Sequence, residues 1–121
     1  MNRSLISCLV AAVALVAAGA ALGSRAAHPS IHVQPASVAP GGHVRVYGNA
    51  GSCSAGSQLM AISAAFPGHA FGVGELTGRV HANHTFSIRG HLRSGVKAGT
   101  YSVGARCGGG NLGVSALLHV G

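Results

Sequence analysis

From Ile31 to its end the chain is filled by short runs in which apolar and polar residues alternate, each closed by glycine, proline or asparagine. A period of two marks a strand with one buried face, and none of these runs carries a helical period. Ile31 and Val33 predict a first strand, ended by Pro35. A bend through Ala39-Pro40-Gly41-Gly42 leads to a second, in which Val44 and Val46 share one face while Arg45 and Tyr47 point the other way. After a Gly/Ser-rich stretch around Cys53, residues 58–63 read as a third strand, and residues 64–74, with Pro67 among them, read as a loop. Leu76, Gly78 and Val80 alternate with Thr77 and Arg79; His81-Ala82-Asn83-His84 supplies a turn; Phe86 and Ile88 alternate with Ser87 and Arg89. This arrangement predicts a hairpin. Tyr101, Val103, Ala105 and Cys107 fall on one face of a sixth strand, and Val114, Ala116, Leu118 and Val120 on one face of a seventh, joined by Gly108-Gly109-Gly110-Asn111. Seven short strands in about 100 residues predict an all-β, two-sheet β-sandwich, with a small barrel as the competing architecture.

The first 26 residues follow a different rule. Arg3 precedes an alanine-rich apolar run from Leu5 to about Leu22, and small residues follow at Ala18-Gly19-Ala20 and Ser24-Arg25-Ala26. Charged start, apolar middle and small-residue end are the three zones of a helical signal peptide, so residues 1–26 are expected to be cleaved and 27–121 to form the domain. A cut after Ala20 is the alternative. An uncleaved membrane anchor would need about 18 to 20 apolar residues, which the run approaches, but leucines are few and Arg25 follows at once. Membrane attachment is expected only if the leader stays. The expected location is secreted, extracellular or associated with the cell envelope.

Cleavage changes the cysteine arithmetic. Cys8 leaves with the leader, and Cys53 and Cys107 remain as an even pair in an oxidising compartment, where a disulfide is the expected state. Closing a loop of that length is worth about 4 kcal/mol in the chain-entropy account.

Charge is one-sided. Glu75 is the only acidic residue in the chain and aspartate is absent. Beyond the leader, Arg45, Arg79, Arg89, Arg93, Lys97 and Arg106 stand against that single carboxylate, and all eight histidines lie in the same part. Imidazoles gain charge as pH falls through about 6.5, so acidification should make the domain more positive. The partners that fit are anionic: wall polymers, lipid headgroups or acidic glycans, met by Arg45, Arg79, Arg89, Arg93 and Lys97, or else another surface protein. The plainer alternative is that isolated arginines and histidines only keep a glycine-rich surface soluble.

The same inventory argues against an enzyme. Glu75 has no second acid for general acid-base work, a Ser-His-Asp triad lacks its aspartate, and a Cys-His nucleophile would need a cysteine that is expected to be oxidised. Gly108-Gly109-Gly110-Asn111 lacks the Lys-Ser/Thr of a phosphate cradle. Nucleic acid is not expected as a partner, because stacking platforms need exposed aromatics and these are 4% of the chain. No cofactor is implied. Histidine ligation of copper or zinc is the second functional class, with His81, His84 and His91 as the candidates around one turn and the following strand. His28 would sit beside a new N-terminus, as in copper-binding sandwiches that use a terminal histidine, but the companion Asp-x-His motif is missing. Asn83-His84-Thr85 matches the N-glycosylation pattern.

The segments Val38-Ala39-Pro40-Gly41-Gly42-His43-Val44-Arg45-Val46-Tyr47-Gly48 and Gly95-Val96-Lys97-Ala98-Gly99-Thr100-Tyr101-Ser102-Val103-Gly104-Ala105-Arg106-Cys107 carry a resemblance. A proline-glycine turn launches one strand, and a Gly-Thr-Tyr corner launches the strand that ends in cysteine. In these features the chain resembles the secreted immunoglobulin-like domains of actinobacteria. The resemblance implies an immunoglobulin-like sandwich serving as a non-enzymatic structural or adhesive module of the envelope. Tryptophan is absent, and Tyr101 stands six residues before Cys107 instead of two, so the antibody-type Cys-Trp-Cys core is not implied.

Overall fold

Residues 28–121 are described by the computed structural model, and the segment read as a signal peptide lies outside them. Within them, alternation becomes strand wherever an apolar residue recurs at every second position, since the pleat then turns all of them to one side. The strands are β1 (Ser30–Gln34), β2 (Ser37–Val38), β3 (His43–Asn49), β4 (Gln58–Ser63), β5 (Gly74–Arg79), β6 (Thr85–His91), β7 (Gly99–Cys107) and β8 (Gly110–Val120). One 3₁₀ turn, Ala70–Gly72, interrupts the β4–β5 connection. Among the described residues no helix is long and apolar enough to cross a membrane.

Two sheets form. One has three strands in the order β1-β3-β6; the other has five in the order β2-β8-β7-β4-β5. Neighbours are antiparallel throughout, apart from β2, which runs parallel to β8. The inner faces share one core, with Ile31, Val44, Val46, Phe86 and Ile88 from the smaller sheet and Leu59, Ala61, Leu76, Val103, Ala105 and Leu118 from the larger. Phe66, Leu92 and Val96 are buried too, although they lie in connections. Residues 28–121 are thus all-β in two layers, as the alternation predicts.

Three expectations need correcting. The strand count among the described residues is eight, because Ser37–Val38 pairs with the end of β8, His119 N–H donating to Ala36 O at 2.8 Å and Gly121 N–H to Val38 O at 3.0 Å. A two-residue strand has no room for a periodic signal. The expected β5–β6 hairpin is also absent: β5 pairs with β4 and β6 pairs with β3, so the turn at residues 81–84 carries the chain from one sheet to the other. A hairpin would place both apolar faces in one layer, whereas here they oppose each other across the core. Gly78 makes this fit, because a Cβ there would lie 2.7 Å from Ile88 Cγ1; Gly90 likewise leaves room for the Leu76 side chain. Gly74, expected at the end of a loop, instead opens β5.

The turn into β3 follows its sequence. Pro40 and Gly41 occupy the two central positions, Gly41 adopts φ 78°, and Gly42 N–H donates to Ala39 O at 2.9 Å. Proline then a left-handed glycine is the preference of a type II turn. Cys53, in the β3–β4 connection, is joined by a disulfide to Cys107 at the end of β7, with Cα atoms 6.3 Å apart and a sequence separation of 54. The bridge therefore ties the exit from the smaller sheet to the larger one.

Candidate functional site

Pairing β3 between β1 and β6 puts three sets of outward-facing residues into register. His32 lies opposite Tyr47, which lies opposite Ser87; Gln34 lies opposite Arg45, which lies opposite Arg89; His43 lies opposite His91. These rows cover the outer face of the three-stranded sheet. The side chains also touch. Arg45 Nη1 donates to Ser87 Oγ at 3.0 Å and Nη2 to Gln34 Oε1 at 3.3 Å, while its guanidinium carbon stands 4.0 Å from the centre of the Tyr47 ring. The His32 and Tyr47 rings lie 5.2 Å apart, and the His43 and His91 rings 6.0 Å apart, edge to face. Gln34, His43, Arg45 and Arg89 line a shallow concavity of ≈ 510 Å³.

No side-chain carboxylate answers this charge. Glu75 lies on β5 of the other sheet, where its Oε2 accepts the Ala70 N–H at 3.1 Å. Like charges directly opposite across a strand pair destabilise a sheet. Arg45 beside Arg89 is therefore an unfavourable pairing that an oxyanion lodged between them would relieve. Arginine forks suit such an anion, since each presents several N–H donors in a fixed plane.

The other sequence candidates are dispersed. Arg79, on β5, donates to Gly56 O at 2.9 Å. Arg93 and Lys97 lie in the β6–β7 connection, where Arg93 N–H donates to Ala65 O at 3.0 Å and the Lys97 carbonyl accepts the Tyr101 hydroxyl at 2.7 Å. The three metal candidates do not converge. His81 and His84 flank the turn before β6, and His91 ends that strand, roughly 23 Å away at about 3.3 Å per residue. His84 adopts φ 67° and donates from Nδ1 to Cys53 O at 2.8 Å. Among the described residues no group of three or more His, Cys, Asp or Glu side chains is arranged to hold a metal ion. His28 is exposed ahead of β1. Asn83 is exposed, but its amide oxygen accepts the Thr85 hydroxyl at 2.6 Å and the Thr85 N–H at 3.2 Å.

Tyr47 takes the outward side beside Arg45 that the alternation gives it, whereas the sequence does not single out His32, Gln34 or His43 for this face, nor His91 as the partner of His43. The signal was present, because each sits two residues from another polar member of its own strand. What was missing was the β3–β6 pairing, which an expected β5–β6 hairpin displaces.

No protein-family model matches the chain, and no curated protein matches it. Among solved structures, 79% of the chain is similar to the alkylpurine DNA glycosylase AlkC of Pseudomonas fluorescens bound to DNA containing an abasic-site analogue, with 20% identity and a TM-score of 0.42. The chain spans 30% of that protein's length. So loose a likeness carries no argument about what this chain does.

Proposed function

We propose that the chain is a secreted, immunoglobulin-like module without enzymatic activity that associates with anionic polymers of a cell surface through the outer face of its three-stranded sheet. The observation that carries this reading is the pair of rows Arg45–Arg89 and His43–His91, cationic or protonatable on both sides and unopposed by any side-chain carboxylate on that face. A sheet face repeats at regular intervals along and across its strands, which suits a polymer with regularly spaced charges. The immunoglobulin-like assignment is supported by the strand order, by a cystine that ties the β3–β4 connection to the end of β7, and by the Tyr101 hydroxyl bonding back to the Lys97 carbonyl at the start of β7. That last contact resembles the tyrosine corner of such sandwiches, with the tyrosine six residues before the cysteine instead of two. The reading of residues 1–26 as a signal peptide supports secretion.

Polyphosphate, with neutral dextran as control, is a suitable first probe. Expected is binding to polyphosphate alone, weakening as salt rises from about 50 to 200 mM because exposed charges are screened. At roughly 1 kcal/mol for each cation near an anionic surface, R45Q/R89Q should weaken it about thirtyfold. Binding unchanged by that double substitution, or equal for dextran, would remove the face from the argument.

A further inference from the structure

We propose a second site, on the outer face of the five-stranded sheet, that takes a small organic carboxylate with a flat apolar body against Arg106 and Phe71. A concavity of ≈ 420 Å³ lies there, with Ile62, Phe71 and Val73 as its apolar wall and Ser102, Arg106 and Asn111 as its polar groups. Its size and its mix of apolar wall with few polar groups suit a small ligand.

Three observations converge on it. The Arg106 Nε–H is buried and has no acceptor, although Nη2 of the same guanidinium donates to Gly109 O at 2.9 Å. A buried donor left without a partner costs free energy, so a structure that keeps one invites an explanation. Phe71 is 57% exposed and holds its ring 4.4 Å from the Arg106 guanidinium carbon, a cation–π contact. Its backbone sits at φ 56°, which is uncommon for a bulky residue and is a place where strain is stored for use. Finally, the β7–β8 register shifts between Gly104 and Arg106, bringing Asn111 opposite Arg106. Such irregularities re-aim side chains beside binding sites.

The ligand chemistry follows from these groups. A carboxylate oxygen supplies the acceptor that Nε–H lacks and neutralises the guanidinium, whose neighbours in the concavity carry no acid. An apolar plane attached to it lies along Ile62, Val73 and the Phe71 ring. Because Nε is buried and the Phe71 ring stacks on the same guanidinium, that ring is the wall that shifts to admit the carboxylate.

The probe is 3-phenylpropionate, compared with 3-phenylpropan-1-ol and followed by amide shifts in nuclear magnetic resonance spectra of the protein. Saturable shifts are expected at residues 62–64, 71–73 and 102–106, with the alcohol about tenfold weaker because the charge-assisted hydrogen bond is lost. R106Q should weaken the acid by a similar factor. If R106Q does not fold, R106K keeps the charge but lacks Nε–H, and weaker binding by several-fold is expected. R45Q/R89Q should leave carboxylate binding unchanged, which separates this site from the polymer-binding face. Equal affinity for acid and alcohol, undiminished binding by the Arg106 variants, or shifts confined to the three-stranded sheet would each overturn the assignment.

Discussion

Gly78 on β5 faces Ile88 on β6 across the core, the missing side chain of one making room for the other. The contact locks together strands that are consecutive in the chain but belong to different sheets. Gly78→Ala should therefore cost about 1 to 3 kcal/mol by overpacking. Ile88→Ala should cost about 2 to 5 kcal/mol through a cavity. Because the added methyl would occupy part of that cavity, the double variant should lose less than the two costs together, by about 1 kcal/mol. Denaturant titration of the four proteins measures the coupling, and strict additivity would show that the two positions are not in contact.

The Cys53–Cys107 bridge closes a long loop, and its main effect is to restrict the unfolded chain. Replacing both cysteines by serine should lower stability by about 2 to 5 kcal/mol, and reductant should lower the parent by a similar amount while leaving the variant unaffected. A parent whose unfolding midpoint ignores reductant would argue that the cystine is not formed in solution.

Tyr101 closes the β6–β7 corner by donating to the Lys97 carbonyl. Tyr101→Phe keeps the half-buried ring and removes only the hydroxyl, so the expected loss is about 1 kcal/mol, one net hydrogen bond. A substitution that costs nothing in thermal unfolding would mean that solvent replaces the bond without penalty.

Much of this fold is legible in the sequence, for an identifiable reason. β4 coincides with the predicted residues 58–63, and β7 and β8 meet through the glycine-rich turn as expected, because alternation and turn chemistry are local properties. Which strand pairs with which is not local. Thr77 and Arg79 alternate with Leu76 and Gly78 identically whether β5 lies beside β6 or across from it, and only the fit of Ile88 against Gly78 separates the cases. The candidate face inherits that ambiguity: Arg45 and Arg89 are both visible as outward residues, yet their adjacency depends on β6 joining β3. Arg79, Arg93 and Lys97 share their charge but not their surface, since formal charge says nothing about which layer a residue occupies.

Arg89→Glu separates binding from stability. In the parent, Arg89 stands opposite Arg45, a like-charge pair on neighbouring strands. Glutamate there turns repulsion into an exposed cross-strand ion pair, worth about 0.2 to 1 kcal/mol. The variant should unfold at slightly higher temperature than the parent in low salt, and the gain should shrink in about 1 M salt, where screening acts over only a few ångströms. Polyphosphate binding should fall at the same time, because the new carboxylate repels the ligand and occupies the arginine that would hold it. Gaining stability while losing affinity is the pattern expected of a surface retained for binding at some cost to folding. If the variant is instead less stable and binds as well as the parent, Arg89 serves the sheet and not a ligand.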